Sequence, residues 1–219
     1  MSEWIDLTQP MTEDVATHPA GHPMPEFKDF ATYDKDKFNS TMLHLETHCG
    51  THMDSPAHMY PKADHRTIDE ITPDEMVSEG IIVDLTNTGF SEEITEEDLI
   101  DALEGEGIRP DDYVILDTGT PPERTDDYLH EYPYLSVEAA EYIAEQGAGC
   151  VATPCSGVDK GGVSIEDHTA HLTLLPETLI IEGVANLSVV DAGRYDVIAT
   201  PIPYANRDGS QIRLLVRPQ

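Results

Sequence analysis

Three histidines and one carboxylate lie within residues 48–58, which read H-C-G-T-H-M-D-S-P-A-H. With the histidines at positions 44 and 65, five of the chain's ten histidines fall within 22 residues. Neutral imidazole and carboxylate are the common protein ligands of zinc, manganese and related divalent metals. The cluster therefore predicts a metal site. Composition alone leaves open the alternative of a histidine-rich surface loop.

The spacing inside this cluster favours convergence of several donors on one point. His48 and His52 are four residues apart, so they share a face if the segment is helical, and Asp54 follows two residues later. A glycine between the two histidines permits a bend, and Pro56 disfavours a helical conformation at the residue before it. We expect a tight turn that presents His48, His52 and Asp54 together, with His58 beyond the proline.

A second group of possible ligands lies near residue 170, in the segment D-H-T-A-H-L-T-L-L-P-E-T-L-I-I-E-G. Glu182 ends an apolar run, where a carboxylate is unfavourable unless it is paired or bound to a metal. The alternative for Glu182 is a solvent-facing position at the end of a strand. His171 and His168 are further candidates. A single histidine such as His171 is more often a core or surface residue than a ligand, and His168 is either its neighbour on a helical turn or solvated.

The three cysteines are too few for a disulfide framework. Cys150 and Cys155 are interpreted as small buried thiols, with metal ligation as the weaker alternative. Cys49 lies inside the histidine cluster but points away from its neighbours if that segment is extended.

Strands must position most of these residues. Strands are predicted at residues 4–7, 38–47, 80–85, 113–117, 149–152, 179–182, 197–201 and 211–216, and helices at residues 96–104 and from Ser136 to about residue 146. Residues 8–31 are predicted to form an ordered loop, and residues 59–75 a polar connection. We expect a mixed α/β fold with a strand-rich core, formed by residues 1–219 as a single domain.

The charge is extreme, because 43 acidic residues face 12 basic ones and give a formal net charge of −31. Binding to nucleic acid or to an anionic membrane is therefore disfavoured. The acids are spread along the chain and only five residues are lysine. This pattern favours a halophile's protein, in which molar salt screens self-repulsion, over an acidic protein with a basic partner. The N-terminus has no signal-peptide pattern and no run approaches a membrane span, so we expect a cytoplasmic protein.

The motif resembles the hallmark H-x-G-T-H-x-D-x-P-x-H of the cyclase family of metal-dependent amide hydrolases, which includes kynurenine formamidases and isatin hydrolases. All seven specified positions are met, by His48, Gly50, Thr51, His52, Asp54, Pro56 and His58. The family's later pattern, H-x-x-L-L followed by a strand ending in Glu, is matched by His171, Leu174, Leu175 and Glu182. Weaker similarity includes G-V-D at residues 157–159. The resemblance implies a mixed β/β/α fold of the swivelling type, assembled as a homodimer or homotetramer.

The resemblance also implies roles for individual residues. His48, His52 and Asp54 would hold a divalent metal, zinc or manganese. Asp54 would bridge to a second ion where one is present, and His171 and Glu182 would complete that second site. His58 would be the acid–base group.

The implied activity is hydrolysis of a small amide: an N-formyl arylamine such as N-formylkynurenine, or a cyclic amide or imide such as isatin. A lactone or ester hydrolase using the same site is one alternative, and a non-catalytic metal-binding protein is another. The N-terminal loop departs from the family, since residues 17–25 read T-H-P-A-G-H-P-M-P where many members carry an aromatic-Pro-Gly-Asp element. His18 and His22 are therefore candidates for lining the substrate pocket, with solvated loop histidines as the alternative.

Overall fold

Seven strands close into a barrel at the centre of the protein. The computed structural model describes residues 3–15, 22–119 and 131–219. The strands there are β1 (Ile5–Asp6), β2 (Glu26–Ala31), β3 (Ser40–His44), β4 (His52–Asp54), β5 (Val77–Asp84), β6 (Glu93–Ile94), β7 (Tyr113–Asp117), β8 (Tyr134–Leu135), β9 (Cys150–Ala152), β10 (Leu179–Glu182), β11 (Gly193–Pro201) and β12 (Gly209–Pro218). The α-helices are α1 (Tyr33–Asp36), α2 (Glu96–Ala102), α3 (Val137–Glu145) and α4 (Thr169–Leu174).

The main sheet runs in the order β1-β12-β11-β5-β7-β9-β10-β4, and β4 also pairs with β12. This last pairing closes the sheet on itself and leaves β1 outside the ring. Strands β5, β7, β9 and β10 are parallel neighbours. The other pairs of the ring are antiparallel. The short β4 is therefore held between β10 and β12.

Alternate residues of the strands divide the core into two layers. One apolar cluster takes residues from all seven ring strands, including Met53 and Ile181, and fills the barrel. The other joins the opposite faces of the strands, including Ile180, to the three helices α2, α3 and α4. Since side chains alternate along a strand, residues two apart on β4 or β10 share one layer.

The helices begin where the sequence offers capping side chains. The Ser136 hydroxyl accepts a hydrogen bond of 3.0 Å from the Ala139 backbone N–H. Thr95 and Asp98 form a reciprocal capping box at the start of α2. Both helices pack on the outer layer of the barrel, where Leu99 and Ile143 are fully buried.

The predicted mixed α/β class with a strand-rich core is confirmed. The predicted strands at residues 113–117 and 179–182 have the bounds of β7 and β10. The prediction of a loop over residues 8–31 is wrong at its end, because residues 26–31 form β2 by pairing with β3. Strand β3 ends at His44 and does not run directly into the histidine cluster. Helix α4 was not predicted, because six residues are too few for a clear helical period.

Strands β2 and β3 form a separate two-stranded sheet with α1 between them in sequence. No helix in the described part of the chain is long and apolar enough to cross a membrane.

Candidate metal centre

The histidine motif folds as a turn, a strand and a 3-10 turn in succession. His48 lies in the turn, where Gly50 takes a positive φ of 67°. The segment then continues as β4, not as a helix, so His52 and Asp54 share a face because they are two residues apart on a strand. Pro56 opens the 3-10 turn that ends at His58.

The register between β4 and β10 places His52 directly opposite Glu182. Both residues lie on the outer face of the barrel, the layer to which Ile180 belongs. Glu182 is 6% exposed, which excludes the alternative of a solvent-facing strand end. Helix α4 covers this face and brings the buried His171 against it.

Five side chains thereby surround a common volume. The Asp54 Oδ1 atom lies 2.6 Å from His48 Nδ1 and 3.4 Å from His52 Nε2. Its Oδ2 atom lies 3.8 Å from His171 Nε2. Glu182 lies 3.5 Å from His52 Nε2 through one oxygen and 3.2 Å from His171 Nε2 through the other. The two oxygens of Asp54 therefore face different histidines, as a carboxylate between two cation positions would.

Three buried atoms facing this volume form no hydrogen bond within the described structure: His52 Nε2, Asp54 Oδ2 and Glu182 Oε1. Buried polar atoms rarely lack a partner, since desolvation without compensation is unfavourable. The same three residues have ligand atoms within 4.8 Å of one another, as do His48, Asp54 and His58. The donor set of imidazole nitrogens and carboxylate oxygens fits a divalent metal.

His52 and His171 face the site through Nε2, and the Nδ1 atom of each contacts an oxygen outside the site. His52 Nδ1 lies 3.0 Å from the Gly50 carbonyl oxygen, and His171 Nδ1 lies 2.5 Å from an Asp159 carboxylate oxygen. Such outer partners fix the tautomer and orientation of metal-binding histidines. Asp159 was not assigned a role from the sequence, although it ends the G-V-D segment that resembles the family.

Asp208 contacts His48 and was also missed. Its Oδ2 atom lies 2.8 Å from His48 Nε2, so both nitrogens of this ring face carboxylates. Burial disfavours the charged imidazole, but Asp54 and Asp208 outweigh it and raise the pKa of His48 to about 10. An environment that attracts a proton this strongly also attracts a divalent cation. No sequence pattern marks Asp208.

Glu182 is ionised despite its burial. Burial favours its neutral form, but the adjacent imidazoles of His171 and His52 lower the pKa of Glu182 to about 2. The site therefore keeps an anionic carboxylate on β10 as well as on β4.

His58 lies at the more accessible side of the site. Its ring centre is 4.1 Å from that of His48 and 5.8 Å from that of His171. Burial lowers the pKa of His58 to about 4, with Asp54 opposing and His48 and His171 reinforcing the shift. Its imidazole is thus neutral at pH 7 and has a nitrogen lone pair that can accept a proton.

The remaining histidines divide between the margin of the site and the surface. His168 stacks on His171, with 5.6 Å between ring centres. His22 lies 2.7 Å from Glu46 through Nδ1, and His65 stacks on Tyr60. His18 lies outside the described residues.

All three cysteines are buried, as predicted for Cys150 and Cys155. Cys49 contributes to none of the candidate metal groups in the described chain, and its Sγ lies 3.1 Å from the Glu46 carbonyl oxygen. Cys150 belongs to the barrel interior.

Comparison with known proteins identifies the family to which this chain is similar. Residues 5–160 match the family model Cyclase, described as "Putative cyclase". The kynurenine formamidase of Bacillus cereus is 27% identical over 218 residues, which cover 99% of this chain and 98% of that protein. The kynurenine formamidase of Bacillus thuringiensis strain Al Hakam is 28% identical with the same coverage.

Solved structures show the same fold. Isatin hydrolase A from Labrenzia aggregata, bound to benzyl benzoate, superimposes with a TM-score of 0.87 at 23% identity, covering 98% of this chain and 93% of that one. A predicted metal-dependent hydrolase from Bacillus stearothermophilus gives a TM-score of 0.80 at 24% identity with full coverage of both chains.

The protein belongs to the Cyclase family, which confirms the resemblance carried by the motif. It is accordingly an enzyme of the hydrolase class, as the sequence predicts.

Proposed function

We propose that the protein is a metal-dependent hydrolase of a small amide, either an N-formyl arylamine or a cyclic amide or imide. The observation that carries this proposal is the group of buried atoms of His52, Asp54 and Glu182 that form no hydrogen bond, beside His58. The names of the relatives support the substrate class, since they are kynurenine formamidases and an isatin hydrolase.

We assign a first divalent ion to His48, His52 and Asp54. A second ion would be held by Asp54, His171 and Glu182, because Asp54 turns its other oxygen toward His171. Nitrogen and carboxylate donors accept zinc and manganese alike, so both are candidates. When bound, such an ion lowers the pKa of a coordinated water toward about 7 and polarises a carbonyl oxygen.

His58 performs the proton transfer in this proposal. Its ligand atom lies within 4.8 Å of those of His48 and Asp54, so it is adjacent to the ion position. Imidazole can take a proton from the attacking water and return it to the departing nitrogen. Amide cleavage needs this second step, because an unprotonated amine anion is a poor leaving group.

Metal content tests the ligand assignment directly. We expect the protein to bind one or two equivalents of zinc or manganese, and His52→Ala and Asp54→Ala to lose metal and turnover together. His65→Gln is the matched control, because this histidine stacks on Tyr60 outside the candidate groups. Retention of wild-type metal content in both ligand variants would contradict the assignment.

Turnover on formylkynurenine, isatin and a panel of lactones tests the substrate class. Preference for an amide supports the proposal, and preference for a lactone would indicate an ester-type hydrolase with the same site. Tight metal binding with no turnover on any compound would indicate a metal-binding protein instead.

We also propose that the protein forms a homodimer or homotetramer. The hairpin of β2, α1 and β3 exposes large apolar side chains, including Phe30 at 71%, Tyr33 at 61% and Leu43 at 57%. Residues 26–44 hold three of the five lysines against four acidic residues, so the hairpin is nearly neutral on a chain of net charge −31. Such a surface can be buried against a second copy with less electrostatic repulsion than the rest of this acidic chain.

A further inference from the structure

The connection between β11 and β12 reaches the histidine motif from 160 residues away along the chain. Asp208 is the last residue of this connection, and its carboxylate lies 2.8 Å from His48 Nε2. The opposite nitrogen of His48 lies 2.6 Å from Asp54. The imidazole is thus held between a carboxylate inside the site and a carboxylate outside it.

The backbone of Asp208 is fixed by the motif itself. The N–H and the hydroxyl of Ser55 both donate to the Asp208 carbonyl oxygen, each at 2.9 Å. Ser55 is fully buried and directly follows Asp54 in the chain. The position of Asp208 relative to the candidate ligands is therefore determined by the same strand that carries them.

Gly209, the residue after Asp208, leaves space for the His48 ring. A Cβ atom at Gly209 would lie 2.9 Å from His48 Cε1 and 3.0 Å from the Met53 carbonyl oxygen. The first distance is shorter than real Cβ contacts and the second is tighter than most of them, so a residue larger than glycine would displace the imidazole or the backbone. Gly209 also pairs with Asp54 in the β4–β12 register.

The second carboxylate oxygen of Asp208 has its own partner. Lys62 Nζ lies 3.2 Å from Oδ1, and the Thr47 hydroxyl lies 3.3 Å from Oδ2. These contacts orient the carboxylate so that Oδ2 faces the His48 ring. His52 and His171 have equivalent outer partners in the Gly50 carbonyl and the Asp159 carboxylate.

We propose that Asp208 is a positioning residue for metal binding: it accepts the Nε2–H of His48 and so keeps Nδ1 on the side of Asp54, where its lone pair would bind the metal. Gly209 contributes by leaving space for the ring. This inference rests on the proposed function, because it takes His48 as a metal ligand. An outer carboxylate of this kind fixes the tautomer of the histidine and strengthens its binding to the metal.

Metal affinity of the full-length protein tests the role, measured by chelator competition with zinc and manganese separately. We expect Asp208→Ala to weaken binding by about 10- to 100-fold, the usual effect of losing such a partner. Asp208→Asn should lose less, because its amide oxygen can still accept the Nε2–H. Gly209→Ala should weaken binding as well, because the added methyl group displaces the ring.

Asp64→Asn is the matched control, because Asp64 is an exposed aspartate in a neighbouring loop. Circular dichroism and melting of the metal-free proteins show whether each variant folds. If Asp208→Ala unfolds, Asp208→Leu, which has a similar size but no hydrogen-bond acceptor, decides the question. Wild-type affinity in a folded Asp208→Ala or, failing that, Asp208→Leu would overturn the positioning role while leaving the proposed function intact. Absence of metal binding by the wild-type protein would overturn both.

Discussion

At the scale of residues, Asp54 is the centre of the candidate site. Its side chain is completely buried, and its oxygens face three of the histidines that surround it. Burial alone would raise the pKa of Asp54, but His48, His58 and His52 lower it well below the usual range. A buried carboxylate is strongly destabilising without compensating charge. Its surroundings therefore select for cations, either protonated imidazoles or a metal ion.

Substitution of His58 should have a different effect from substitution of the candidate metal ligands. We expect His58→Ala to retain its metal while turnover falls by about 10²- to 10⁴-fold, because only the proton transfer is lost. Metal analysis and steady-state kinetics on the same preparation measure both quantities. His65→Ala serves as the control for loss of a histidine. Substantial turnover in the His58 variant would remove this residue from the mechanism.

At the scale of elements, the site depends on short segments that packing must stabilise. Helix α4 has six residues, fewer than an isolated helix needs in water. Its buried Ala170 and Leu174 pack in the outer core layer and hold His171 against β10. Asp159 accepts hydrogen bonds from the backbone N–H groups of Ala170 and His171, which fixes the first turn of the helix.

The hairpin of β2, α1 and β3 is the element that we expect a second copy of the chain to stabilise. A two-stranded sheet alone is marginal in water, and this one exposes several large apolar side chains. We expect Phe30→Glu combined with Leu43→Glu to shift the protein from an oligomer to a monomer in sedimentation velocity. The introduced charges oppose burial and add to the repulsion between acidic copies.

Val189→Glu is the control for the hairpin variant, because Val189 is 66% exposed and lies outside the hairpin. An unchanged sedimentation coefficient in the hairpin double variant, or a monomeric wild type, would contradict self-association through this element.

At the scale of the whole molecule, repulsion among acidic residues opposes folding. The 12 basic residues offset a minority of the 43 acidic ones, even though pairs such as Arg194 with Asp112 are well formed. Salt screens the excess, since the Debye length falls from about 10 Å at 0.1 M to about 3 Å at 1 M.

We expect the melting temperature to rise between 0.1 M and 2 M KCl, by about 2–4 °C for each kcal/mol of repulsion removed. Differential scanning calorimetry measures this, and a single transition is expected if residues 1–219 form one cooperative domain. Adding sucrose at low salt is the control for general solvent effects. Full stability and activity at 0.1 M would contradict adaptation to high salt.

The sequence by itself determined those features that depend only on residues close together in the chain. The motif of residues 48–58 predicted candidate metal donors, and β7 and β10 followed from short apolar runs bounded by polar residues. The capped helix α3 was likewise predicted, because Ser136 acts on its own first turn. The same local reasoning missed β2, since that strand exists only through pairing with β3.

The tertiary structure decided which donors meet. His52 faces Glu182 because β4 and β10 pair in one register, and a shift of one residue would turn Glu182 into the barrel. Asp208 reaches His48 because β12 closes the barrel beside β4. Such pairings join residues more than a hundred positions apart, and their free energy comes from closing and packing the whole barrel. The motif therefore determined the chemistry of the site, whereas the closed sheet determined its complete set of partners.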